Sequence, residues 1–152
     1  MSRSPCALVG QMLANIAKKV TVFELRPHQW QVFSEPVERD FGRRLIEFLA
    51  VDFPEMRQAP HRQMIGFVRQ QIERARSYGL ETERDLATYA AVAWVMGADF
   101  DTAYPYVQQV LQDIYPSDWK RRYLVRWSYE SCAAMARAVG HGEALRVLPE
   151  DY

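Results

Sequence analysis

Cysteine, histidine and glycine are scarce in this chain of 152 residues, and each scarcity removes a class of explanation. Its two cysteines, Cys6 and Cys132, stand in no metal-ligand spacing and form no disulfide framework. They read as two reduced thiols of a cytosolic protein. The three histidines, His28, His61 and His141, are isolated from cysteine and from one another. A metal site would have to be assembled wholly by folding, so surface or capping roles are expected for them. There is no glycine-rich phosphate loop, no G-x-S-x-G and no cysteine in a nucleophile setting, and no cofactor is expected. Charge of one sign is missing too: nineteen basic residues balance nineteen acidic ones, which disfavours a general nucleic-acid binder. Long apolar runs are absent, since no window approaches the ~18 residues of a membrane-spanning helix. The N-terminal SRSPCALVGQMLANIAKKV is a poor signal peptide. Gln11 and Asn15 interrupt its apolar run, and Lys18-Lys19 follow where a cleavage site belongs. The expectation is a cytoplasmic protein.

What remains is helical vocabulary. No segment alternates with period two, and apolar residues recur at helical spacing almost throughout. From Ile72 to Asp101 the punctuation is sharpest. Tyr78-Gly79 stops one helix, glycine supplying the left-handed backbone that closes a last turn. Thr82 opens the next as an N-cap, with Asp85 placed to complete a capping box. Leu86, Tyr89, Ala90, Ala93 and Met96 then form one apolar face, and Gly97 ends the helix. Two helices joined by about four residues pack antiparallel as an αα-hairpin.

The same reasoning extends both ways. Residues 1–20 form an N-terminal extension with Cys6, Val9, Leu13, Ile16 and Val20 on one side, and a helical domain occupies 21–140. One helix or two fill 27–51, with Val37, Phe41, Leu45, Phe48 and Leu49 inward, until Asp52-Phe53-Pro54 breaks the pattern. Pro60 opens the helix that ends at Gly79, with Met64, Phe67 or Val68, Ile72 and Ala75 buried. A shorter helix is expected over about 103–115, burying Val107, Val110, Leu111 and Ile114. Ser117 is the expected N-cap of a long last helix running to Gly140, and 141–152 is a tail. The architecture predicted is all-α, five to six helices in a compact array built on αα-hairpins.

The stretch RA-x2-YG-L-x-TERDL-x2-Y at 74–89, followed by G-x-DFD at 97–101, resembles a family of small helical proteins encoded beside effectors of bacterial type VI secretion systems. Their neighbours are typically PAAR-, VgrG- or Rhs-linked toxins. The likeness continues upstream through Gln29, Phe41, Arg44, Leu49 and Phe53-Pro54, covering residues 25–111. Where that family shows Pro-Trp after the DFD, this chain has Tyr104-Pro105-Tyr106. The resemblance implies an accessory role, as a co-chaperone or adaptor of an effector.

Three sets of residues invite a functional reading. Asp99 and Asp101 suggest paired carboxylates, for acid/base work or a cation. The simpler account has Phe100 plugging the core while the aspartates accept backbone N–H groups and cap the next helix. Arg74 and Arg84 are candidates to pair with these acids or with Glu83 and Asp85. The third set is aromatic. Six of the seven phenylalanines precede residue 68, whereas seven of eight tyrosines and three of four tryptophans come from Tyr89 onward. Tyrosine and tryptophan suit surfaces dry on one side only.

On the last helix, Val125, Tyr129, Cys132, Ala136 and Val139 cluster on one face. Trp119, Tyr123 and Trp127 cluster on another, bordered by Lys120, Arg122 and Arg126. Two apolar stripes require burial on two sides, so either the helix is central or one stripe meets a partner. Trp119, Arg122, Tyr123, Arg126 and Trp127 are thus the expected partner-binding residues. Gly79, Thr82, Asp85, Phe100 and Asp101 are structural. A single-strand nucleic-acid platform would also interleave basic and aromatic residues, but an Arg/Trp-rich protein interface is the more economical account. The resulting expectation is a non-catalytic protein-binding accessory of a type VI effector, with no membrane or nucleic-acid partner. An immunity protein that neutralises the neighbouring toxin is the alternative, and a hydrolase built on Asp99 and Asp101 the remote one.

Overall fold

A computed structural model describes residues 35–138, and every element it contains there is helical. In chain order these are α1 (Glu35–Asp52), a 3-10 turn (Pro54–Arg57), α2 (His61–Ser77), α3 (Glu83–Met96), α4 (Phe100–Ala103), α5 (Pro105–Gln112) and α6 (Ser117–Ala138). The extension at 1–20, the 27–34 portion of the first predicted helix and the tail at 141–152 lie outside the described residues. The protein is all-α over the part described, with six α-helices, one of them a single turn.

The hairpin read from sequence forms as expected. Gly79 has φ +79°, its N–H donates to Arg76 O at 2.9 Å, and the N–H of Leu80 donates to Ala75 O at 3.1 Å. That pair of bonds is a Schellman motif. Leu80 and Ala75 are both fully buried beside it, so the chain reversal is sealed by apolar contact. Thr82 Oγ1 accepts the N–H of Asp85 at 3.0 Å, and Asp85 Oδ2 accepts the N–H of Thr82 at 3.3 Å, completing the capping box.

The face expected for α3 was too narrow. Every residue from Asp85 to Ala93 is buried, not only the Leu86/Tyr89/Ala90 stripe. Small side chains on the other faces, among them Ala87, Thr88 and Ala91, let neighbouring helices close around it. With α2 against one side and α6 against another, α3 is the central helix, and α1 packs on α2 and the 3-10 turn. Phe41, Leu45, Leu49, Val68, Ile72, Leu111 and Leu124 join it in one continuous core. Burying each such side chain contributes about 1.5–3 kcal/mol before the cost of ordering it.

The predicted helix over 103–115 is divided. Tyr104 precedes a proline and is driven to extended backbone, φ −116° and ψ 101°, which separates α4 from α5. Pro105 then opens α5 at its first turn. This helix ends at Gln112, so Ile114 lies beyond it and is 98% exposed rather than buried. Asp113 Oδ1 accepts the N–H of Ile114 at 2.8 Å, turning the chain toward α6.

Candidate functional site

The described charge network begins where the last turn of α2 meets α4. Asp101 is 1% exposed inside α4. Arg74 Nε donates to Asp101 Oδ2 at 3.1 Å and Nη2 donates to Oδ1, a bidentate pair. The Tyr78 hydroxyl adds a third bond to Oδ2 at 2.8 Å. Asp99, on the surface, takes Arg74 Nη1 at 2.9 Å, and the same Nη1 donates to Ala98 O. The capping role expected for Asp101 is therefore corrected: its carboxylate binds side chains across 23 to 27 residues of sequence, and Asp99 makes no side-chain cap bond either. Phe100, between them, is buried as expected.

Electrostatics follow from this geometry. Burial, and then the hydrogen bond to Asp101, push the Tyr78 phenol up to about 12. Burial and the Asp101 charge raise the Tyr89 phenol as well. Burial works against the Arg74 cation, but the Asp99 hydrogen bond and the Asp101 charge outweigh it and raise its pKa. Asp101 is enclosed by an arginine fork and a phenol, with no face open to a substrate. Among the described residues, no group of three or more His, Cys, Asp or Glu converges as metal ligands do.

Two further ion pairs bind distant segments together. Arg121 donates to the buried Asp85 at 2.8 Å, tying α6 to the cap of α3. Arg44 reaches Glu83 at 3.1 Å from α1. Arg74, one of the two arginines expected to pair with the acids, takes Asp99 and Asp101, while Arg121 and Arg44 take Asp85 and Glu83 at the start of α3.

The long helix α6 shows where the two-stripe reading needs correction. Its buried line is Lys120, Leu124 and Ser128, with Val125 and Cys132 beside it. This face lies between the two predicted stripes, and Lys and Ser within it hid it from an apolar pattern. Lys120 is not at the border of a surface patch. It is 6% exposed and donates to Tyr78 O and Leu111 O, both at 2.8 Å. Those carbonyls close the end of α2 and of α5, so one ammonium staples two helix ends to α6. Cys132 is buried, its Sγ 3.9 Å from Met96 Sδ.

The predicted partner-binding residues split into two groups. Trp127 is half-buried, stacked on Phe100 with centroids 5.9 Å apart and edge-on to Tyr104 at 4.9 Å. Its main contact is the fold itself, and the expectation of a purely external role is corrected. Trp119 is 42% exposed and lies between Tyr115 and Tyr123, with centroids 4.1 and 5.8 Å away and planes within 24° and 9° of parallel. Arg122 and Arg126 are exposed on the same side of α6, paired along the helix with Asp118 at 2.7 Å and Glu130 at 3.9 Å. Burial raises the Tyr123 phenol above its ordinary value, with a smaller contribution from Glu130. Ile114, directly before Tyr115, is exposed as well, and so is Tyr106 on α5, at 81%. The apolar spacing predicts Ile114 in the core of the 103–115 helix and gives Tyr106 no surface role.

The result is a surface with rings already stacked on one another and arginines at the edge. No helix of the described residues is long and apolar enough to cross a membrane. Set against known family models, curated proteins and solved structures, the chain shows no match.

Proposed function

We propose that this protein is a non-catalytic accessory, a chaperone or adaptor, that binds a type VI secretion effector through the Tyr115–Trp119–Tyr123 face of α6. The observation that supports it most is that aromatic ladder, with Tyr115 and Trp119 exposed, Tyr123 half-buried against the core, and Arg122 and Arg126 at its rim. Aromatic and arginine side chains dominate the binding energy of protein interfaces. Ring order in the ladder also favours protein over single-stranded nucleic acid. A nucleobase needs an open ring face to stack on, and Trp119 is flanked by a tyrosine on each side along the helix. The identity of the partner rests on the motif at 74–101 and its resemblance to effector-associated proteins. In the Asp99/Asp101 pair, the burial of Asp101 and the Arg74 clamp on both carboxylates count against a hydrolytic use.

Co-purification with the effector encoded beside it is the direct test. Trp119→Ala and Arg126→Glu should leave the circular dichroism and melting curve nearly unchanged while retention of the effector falls at least about tenfold, as for a hot spot of ~2 kcal/mol. Trp127→Ala should lower stability instead, through lost contact with Phe100 and Tyr104. Retention that is indifferent to Trp119→Ala would refute this face as the docking site. Rescue of cells expressing the toxin would assign the immunity role rather than the chaperone role.

A further inference from the structure

We draw no further inference here: the strongest candidate, the groove between α1 and α2, has its Arg43 and Arg69 ion-paired with Asp40, Glu47 and Glu73 and its Val68 and Ile72 buried, and nothing in the structure shows what covers it.

Discussion

Replacing Asp101 separates a helix cap from a buried ionic clamp. A cap accepts one backbone N–H, and asparagine does this nearly as well as aspartate, so Asp101→Asn would be close to neutral and Asp101→Ala would cost ~0.5–2 kcal/mol. The clamp predicts otherwise. Both carboxylate oxygens accept N–H groups of Arg74, and Oδ2 also accepts the Tyr78 hydroxyl. An asparagine turned either way puts its NH₂ against a guanidinium donor. Breaking a buried pair by removing one partner costs ~3–5 kcal/mol. Arg74 keeps Asp99 and Ala98 O and is 23% exposed, which places Asp101→Ala near the lower end, about 3 kcal/mol. Asp101→Asn should lose about 2 kcal/mol or more, since it also leaves a donor facing a donor. Urea unfolding at neutral pH measures both, with the slope checked for constancy. For a chain of this size about 3 kcal/mol corresponds to a fall of roughly 10 °C in melting temperature. The double variant Arg74→Met/Asp101→Leu should recover at least ~2 kcal/mol relative to the sum of the single losses, because no charge is then left buried and unpaired. An Asp101→Asn protein within ~0.5 kcal/mol of the parent refutes the clamp.

Three further outcomes follow from buried polar groups. Lys120→Met retains the apolar stem but leaves Tyr78 O and Leu111 O without their donor, and should cost about 1–3 kcal/mol in the same urea assay; an unchanged midpoint would mean that water replaces the ammonium. Gln71 is fully buried with no hydrogen-bond partner at either side-chain amide atom, so Gln71→Met should stabilise by ~1 kcal/mol, and a lower midpoint would contradict it. Tyr78 has a folded pKa raised to about 12 from 10, so its neutral form is favoured on folding. Its stabilisation is complete below pH 10 and is lost as pH rises toward 12. Tyr78→Phe should therefore lose less stability than the parent between pH 10 and 12, and parallel pH curves would refute this assignment.

Local chemistry determined much of this protein from sequence alone. The Gly79 stop and the Thr82/Asp85 box depend on backbone conformation and neighbours within a few residues, and each forms as read. So do the breaks at Asp52-Phe53-Pro54 and the 83–96 helix. The all-α class follows from the same source, since helical periodicity needs no knowledge of the partner helix. What only the tertiary structure decided is which groups on different helices meet. Sequence made Arg74 a candidate for two pairs of acids and only the fold chose Asp101, while Arg121 with Asp85 and Lys120 with two carbonyls are pairings that no spacing encodes. The same limit misplaced the inner face of α6: a lysine and a serine occupy it because the helices around them supply polar partners, and Val125 O accepts the Ser128 hydroxyl at 3.0 Å. Periodicity records where apolar atoms recur, whereas burial also admits any polar group whose hydrogen bonds the folded neighbours satisfy.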